Sequence, residues 1–387
     1  MINNLIYILI VLLGLNYLAF LFRIVKGLNK LRTNEPSYNM NKTAMLINNA
    51  DDIEEEPAAN LFISIIIPFH DEKNNILNSL KSTTSQNLPK DSFEVIYIND
   101  NSSDGGDILL KENIETNNVY LYNNFPAMNN KKAAIEYGIS KAKGEIIVLS
   151  DADCIQQPNW INMMLSFLDD KTGFIAGPVE FYSNSSAFSN LQQLEFSSLI
   201  ITGAGLIGSN MPAICNGANI LFRKRLFYEV NGYHGNENIS SGDDVFLMQK
   251  IAKLTDYEIK FCNSAESIVR TYPQKTVAKF FNQRKRWAGK SIAFINKKLV
   301  VILALIFLFY VGLFISPLLI INNINLLFLF LTAGVLKALS EFIVLKSGKE
   351  VIPLTISFRY FVLAEILHIP YIVFSTVYGV FGKKRWE

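Results

Sequence analysis

Two apolar blocks bracket this chain, and they limit what it can fold into more than any other feature. From Ile2 to Phe22 the sequence is almost wholly apolar, which covers the roughly 20 residues a helix needs to cross a bilayer. Arg23, Lys26, Lys30 and Arg32 follow that run rather than precede it. A cleaved signal peptide carries its positive charge first, so the segment reads as a retained anchor, with Met1 outside and the following chain in the cytoplasm. The second block begins at Leu299 and divides into Leu299 to Ile321, Ile324 to Leu345 and about Ile356 to Val380. Each piece is long enough to span. Lys337 and Glu341 lie four apart in the second, while Arg359 and Glu365 mark the third. Charges inside membrane segments face the bundle interior and pair there, so a structural ion pair is expected rather than a transport path. Three spans would leave the C-terminus outside, whereas Lys383, Lys384 and Arg385 favour inside. Two solutions stay open: a re-entrant or interfacial segment, or terminal charges overruled by packing.

Composition narrows the function classes. Half of the 387 residues are apolar and 18% are charged, with a mean hydropathy of +0.22, which excludes global disorder. The net charge of +2 lacks the basic excess of an electrostatic nucleic-acid binder, so no nucleic-acid partner is expected. Cys154, Cys215 and Cys262 are too widely spaced for a zinc site or a disulfide framework, which points to a reducing compartment.

Between the blocks the pattern changes twice. Thr33 to Asn60 is polar and carries the acidic cluster Asp51, Asp52, Glu54, Glu55 and Glu56, as a linker does. The expected division is an anchor at 1–23, a linker at 24–60, a catalytic domain at 61–297 and a membrane domain at 298–387. Leu61 to Pro68, Phe93 to Ile98 and Glu145 to Ser150 are apolar, β-branched runs, the signature of strands buried on both faces. Helices are expected over about Glu72 to Ser85 and Lys131 to Ala142. Strands alternating with helices make an α/β fold whose ligands bind beyond the strands' carboxyl ends. Asp151 and Asp153 leave the third run two residues apart, so both carboxylates project to one side of an extended segment. Such a pair suits Mg²⁺ or Mn²⁺, hard cations that take a few carboxylates and fill their other positions with water and substrate phosphates.

Several segments fall in a fixed order: Pro68-Phe-His-Asp-Glu72, Asn99-Asp100-Asn-Ser-Ser-Asp104, Asn130-Lys131-Lys-Ala-Ala134, Asp151-Ala-Asp153, Gly242-Asp243-Asp244-Val-Phe-Leu247 and Gln283-Arg284-Lys285-Arg286-Trp287. Over Phe62 to about Lys290 they resemble the family 2 glycosyltransferases, with Asp71, Asn130 and Asp243 departing from the family's usual Asn, Gly and Glu. The resemblance implies a GT-A domain, a Rossmann-like mixed sheet with helices on both faces, using a nucleotide-sugar donor and inverting the anomeric centre. It implies Asp100 as a contact to the nucleotide base, Lys131 as a donor-pocket cation, Asp151 and Asp153 as metal ligands and Asp244, beside Asp243, as the catalytic base. Pro68 and Glu72 fall in its donor-side opening motif. The Q-x-x-R-W run is similar to that of polysaccharide synthases and ceramide glucosyltransferase-like enzymes. Arg286 has the chemistry to fork onto a diphosphate, and Trp287, with Gln283, lies on the acceptor side. A basic, aromatic collar at the membrane interface is the competing explanation of that run, and a charge pair at a helix N-terminus that of Asp243 and Asp244.

Leu191 to Pro212 is too polar and Gly-rich for a span and reads as an amphipathic segment on the inner leaflet or as a helix covering the sheet. Asn216-Gly217-Ala218-Asn219 offers small residues where an acceptor could approach the backbone. His70, His234 and His368 have no ligand-spaced partner, and no metal role is assigned to them. The expected function is metal-dependent, inverting transfer from a nucleotide-sugar, in the leading form a UDP-sugar, to a lipid-linked or growing glycan acceptor at the cytoplasmic face of a multi-pass cell-membrane protein. The alternatives are a processive polysaccharide synthase and a noncatalytic scaffold within an export complex.

Overall fold

The isoleucine-rich runs form strands with no exposed face. The computed structural model describes residues 2–33, 61–123, 130–182, 186–236, 239 and 241–381. In it, β1 (Ile63–Phe69), β2 (Phe93–Asn99) and β4 (Ile146–Leu149) are buried at every position, as strands covered on both sides must be. With β3 (Val119–Asn123), β5 (Thr172–Ala176), β7 (Ile220–Arg223) and β8 (Glu258–Phe261) they make a seven-stranded sheet in the order β3-β2-β1-β4-β7-β5-β8. β7 runs antiparallel to both β4 and β5, and the other neighbours are parallel. A separate parallel pair joins β6 (Val179–Phe181) to β9 (Val269–Thr271).

The helices are α1 (Ile2–Thr33), α2 (Ile76–Thr84), α3 (Gly106–Glu112), α4 (Lys131–Lys141), α5 (Trp160–Leu165), α6 (Ala187–Gly208), α7 (Lys224–Glu229), α8 (Asp243–Leu254), α9 (Val277–Ala288), α10 (Lys297–Asn322), α11 (Leu326–Val351) and α12 (Phe361–Phe381). The reversal of β7 matters for the site. Because Leu149 pairs with Ile220, the loop that enters β7 lies at the same edge where β1, β2 and β4 end.

The helix after β1 starts at Ile76 rather than Glu72, because residues 72–75 form a turn closed by the Asn75 and Ile76 amides on the Glu72 carbonyl. The anchor helix continues through Arg23 to Thr33, so residues 24–33 are helix and not linker; residues 34–60 lie outside those described. Ile24, Leu28 and Leu31, buried at 0%, 0% and 4% exposure, supply its packing face. That face meets α6 at glycines. A Cβ on Gly27 would fall 1.8 Å from the Gly205 carbonyl oxygen, and one on Gly208 2.3 Å from that of Gly27, so the two backbones touch. Leu191 to Pro212 thus falls largely within α6, a covering helix buried on most of its surface rather than an amphipathic strip.

α1, α10, α11 and the segment Phe358–Val380 are long and apolar enough to cross a membrane. The Tyr7 hydroxyl donates to the Asn325 carbonyl, and Arg32 lies 3.3 Å from Glu350, so α1 and α11 run side by side in the same direction. α12 behaves differently. It starts beside Phe342, sets Glu365 2.7 Å from Lys337 and ends with Gly379 against Gly289, just before α10 begins. The expected pair of Lys337 and Glu341 is present at 2.8 Å. His368, for which the sequence offers no partner, is given one by this packing: its Nδ1 lies 3.3 Å from Glu341.

Candidate active site

Chain crossovers deliver polar side chains to one edge of the sheet, and a single cavity of about 570 Å³ collects them. Pro68 and Glu72 come from the end of β1, Asp100 from that of β2, Asp151 and Asp153 from that of β4. Lys131 opens α4, Asp243 and Asp244 open α8, and Gln283, Arg286 and Trp287 sit on α9. Every residue the sequence singles out as a site residue lines this cavity.

Lys131 holds the centre. Asn130 caps α4 by accepting the Lys132 amide proton, which aims the next side chain across the cavity. The Lys131 Nζ donates to Asp151 Oδ1 at 2.5 Å and lies 4.0 Å from Asp243 Oδ2. Burial opposes its charge, but Asp151 and Asp243 outweigh burial and hold the ammonium above its usual range. Burial pushes the Asp151 carboxyl up, with Lys131 partly offsetting it. Glu72 is pushed up to about 7 by burial, partly offset by its bond to Asn75, with Asp153 and Asp151 adding to the rise.

Asp153 accepts a bond from the Thr271 hydroxyl at 3.1 Å. Ligand atoms of Asp151, Asp153 and Cys154 lie within 4.8 Å of one another. Burial holds the Cys154 thiol well above its ordinary range, so it stays protonated, and the donor set left is two carboxylate groups in a region crowded with negative charge. That set fits a hard divalent cation.

The α8 end is built for proximity. Gly242, at φ 87°, caps the helix in the left-handed region, and the two aspartates occupy the first turn, where the helix dipole favours them. Asp244 Oδ2 accepts the Gly217 amide proton at 2.9 Å, Oδ1 accepts that of Val245 at 2.7 Å, and Lys290 Nζ stands 3.5 Å away. A Cβ on Gly217 would come to 3.3 Å of Asp243. Burial raises the Asp244 carboxyl, with Lys290 partly offsetting it. Asp244 therefore stands in the first helical turn, buried but lining the cavity.

On α9, the Ser241 hydroxyl donates to the Arg286 carbonyl at 3.0 Å and ties this helix to the turn before α8. Burial lowers the pKa of the Arg286 guanidinium, partly offset by Asp243 and Asp151. Its neighbour Arg284, inside the Q-x-x-R-W run at an unspecified position, is 2% exposed and forks onto both oxygens of Glu195 on α6. Arg284 also lies over the Trp287 and Phe280 rings and donates to Gln283 Oε1, while Tyr371 of α12 donates to the same Glu195 at 2.9 Å. Sequence reasoning missed Arg284, Glu195, Tyr371, Thr271 and Lys290. Their partners lie 89, 89, 176, 118 and 46 positions away, and no local spacing announces such pairs. His70 lines the cavity with Nδ1 2.6 Å from the Asp100 carbonyl, whereas His234 is not among its described lining residues.

Comparison with known proteins agrees with this arrangement. Residues 64–230 match the family model of glycosyl transferase family 2. The chain is 26% identical over 235 residues to the probable glycosyltransferase YdaM of Bacillus subtilis, covering 58% of this chain and 54% of that one. It is 26% identical over 260 residues to the poly-beta-1,6-N-acetyl-D-glucosamine synthase of Staphylococcus aureus, covering 66% and 58%. The chain thus spans little more than half the length of these curated relatives. In structure it resembles the mannosyltransferase PcManGT from Pyrobaculum calidifontis, solved in complex with GDP-Man and Mn²⁺. That likeness has a TM-score of 0.55 at 16% identity, covers 94% of this chain and 100% of the other, and speaks for a shared fold. The matched residues contain the strand ends that carry Asp100, Asp151 and Asp153, so over residues 64–230 the chain carries a glycosyl transferase family 2 domain.

Proposed function

We propose that this enzyme moves a sugar from a nucleotide-sugar, in the leading form a UDP-sugar, to a hydroxyl of a lipid-linked or growing glycan acceptor, inverting the anomeric centre. The observation that carries the reading is the convergence of Lys131, Asp151, Asp153, Asp244 and Arg286 on one cavity. Asp151 and Asp153 would hold Mg²⁺ or Mn²⁺. Such a cation, when bound, neutralises charge that develops on the departing diphosphate. Asp100, Pro68 and Glu72 line the donor side, with Asp100 toward the nucleotide base. Lys131 and Arg286 supply fixed positive charge for the diphosphate. Asp244 takes the acceptor's proton, since an alcohol is a poor nucleophile without a base in hydrogen-bond reach. Its raised pKa makes it a better base than an exposed aspartate. Trp287 and Gln283 line the acceptor side.

In this reading residues 61–297 form the catalytic domain on the cytoplasmic side, between the anchor at 1–23 and the membrane domain at 298–387. The packing of Gly379 on Gly289 supports the first solution to the conflict over the C-terminus: α12 lies obliquely, and its end returns to the catalytic side. The Staphylococcus aureus relative keeps the processive polysaccharide synthase as a second reading. A noncatalytic scaffold sits poorly with an intact set of charged groups.

The test is nucleotide release from a panel of UDP- and GDP-sugars by the purified chain. Chelation should abolish release and Mg²⁺ or Mn²⁺ restore it, while full activity in excess chelator would remove Asp151 and Asp153 from the mechanism. For orientation, a cysteine at the exposed Glu112 should resist an impermeant thiol reagent in intact cells and react after lysis.

A further inference from the structure

The cavity that holds the carboxylates extends beyond them. Its lining also takes in Leu199 and Ile200 from α6, Leu299 and Leu303 from α10, and Ile372 from α12, with Tyr371, Ser375 and Thr376 as the polar groups α12 adds beside them. α10 and α12 fall among the segments able to cross a membrane. Elsewhere on their surfaces they expose Leu308, Phe314, Leu318 and Phe374, as helices immersed in hydrocarbon do. One end of the cavity is therefore rich in carboxylates, and the other is formed by α6 together with two of these long apolar helices.

These two ends select an acceptor. A glycan strand carries hydroxyls on every sugar, more than the few polar groups of that wall can pair, and each one left without a partner is costly. A hydrocarbon chain gains by burial there. At the polar end Lys131 and Arg286 are assigned to the donor diphosphate and Lys290 lies 3.5 Å from Asp244, so an anionic headgroup meets repulsion from the adjacent carboxylates of Asp243 and Asp244. A neutral hydroxyl meets no such repulsion and donates its proton to a carboxylate.

We infer that the acceptor is a membrane amphiphile with a neutral, hydroxyl-bearing headgroup, whose hydrocarbon chain lies between α6, α10 and α12 while its hydroxyl meets Asp244. This rests on the sugar-transfer reading above and narrows its acceptor to one class. Asp244 accepts the hydroxyl proton as the oxygen bonds to the anomeric carbon. The bond from that carbon to the nucleotide diphosphate breaks with its electron pair leaving on the diphosphate, and the proton passes to solvent.

The experiment uses the full chain in phosphatidylcholine vesicles, with Mn²⁺ and whichever labelled donor releases nucleotide when water is the only acceptor. Three acceptors are compared: dioleoylglycerol in the vesicle, a polyprenyl phosphate in the vesicle, and a water-soluble oligosaccharide. Label should move into dioleoylglycerol. Leu199→Trp and Leu303→Trp, which fill the aliphatic end, should cut that labelling about tenfold or more and leave donor hydrolysis within about twofold. Labelling of the oligosaccharide or the polyprenyl phosphate in its place, or full lipid transfer by both tryptophan variants, would overturn the inference while leaving sugar transfer intact. Absence of nucleotide release from every donor would instead overturn sugar transfer itself. If a tryptophan abolishes hydrolysis too, the acceptor comparison on the unchanged chain decides alone.

Discussion

Two lysines in this molecule sit between two carboxylates, in surroundings of opposite kind. Lys131 bridges Asp151 and Asp243 at 2.5 and 4.0 Å at the sheet edge, with its side chain 29% exposed. Lys337 bridges Glu341 and Glu365 at 2.8 and 2.7 Å among the long apolar helices, with its side chain 1% exposed. Around Lys337 the account closes: Glu341 also accepts bonds from Tyr17 and Tyr310 and faces His368. Around Lys131 it stays open, because Asp153, Asp244 and Glu72 crowd the same cavity, where burial first, and then Asp153 and Asp243 against the pull of Lys131, hold the Asp151 carboxyl up. The difference teaches that a surplus of carboxylates lining a cavity marks a place for a ligand, whereas a cluster closed by its own hydrogen bonds between packed helices marks a fastening.

If that contrast holds, the two lysines should fail in different ways. Lys337→Met leaves two largely covered carboxylates, 13% and 15% exposed, without their cation and should cost about 3 kcal/mol of stability, read by thermal unfolding in detergent, with turnover per folded molecule unchanged. Lys131→Met should do the reverse, and equal thermal losses in the two variants would break the contrast. Asp244→Asn, nearly isosteric, should keep the fold and donor binding while turnover drops by about 10² or more; near-normal turnover would move the base to Asp243. Arg286→Lys keeps the charge and loses the fork, so turnover or donor KM should worsen by roughly tenfold, and an unchanged enzyme would reduce α9 to an interfacial collar.

The smallest effect sharpens the comparison through pH. Glu72 rises from an ordinary 4.5 to about 7 in the fold. Between those values the native state holds a proton that the unfolded chain has released, so stability falls as pH climbs from about 4.5 to 7. Glu72→Gln should remove that slope and stabilise the cation-free protein by about 1 kcal/mol near pH 8, after discounting for partial exposure, and change nothing at pH 4. A parallel pH profile in the variant would mean that Glu72 is not part of the surplus.

Much of this was legible in the sequence for a definite reason. Strands covered on both faces must be continuous apolar runs, so β1, β2 and β4 could be read directly, and the polar residues at their ends follow from topology. β3, β6, β8 and β9 are short or half exposed and carry no comparable signal. The α1 extension was written in the spacing of Ile24, Leu28 and Leu31, but Arg23, Lys26 and Lys30 between them read as the end of a helix. Which arginine of Gln283-Arg284-Lys285-Arg286-Trp287 would be buried depended on Glu195, a residue on a helix 89 positions away, and pairings of that range are fixed only by the fold.

The glycine contact between α1 and α6 reaches past packing. α6 contributes Phe196, Leu199, Ile200 and Leu206 to the cavity wall, and α1 contributes Phe20. On the proposed reading, the helix that would cross the bilayer is thus part of the mould in which the reaction occurs, a ruler and not a leash. Extra residues inserted between Thr33 and Leu61 should leave the height of Asp244 above the lipid unchanged. A leucine at Gly27, by prying two backbones apart, should, on the proposed reading of a lipid acceptor, lift the reaction centre away from the surface that holds it.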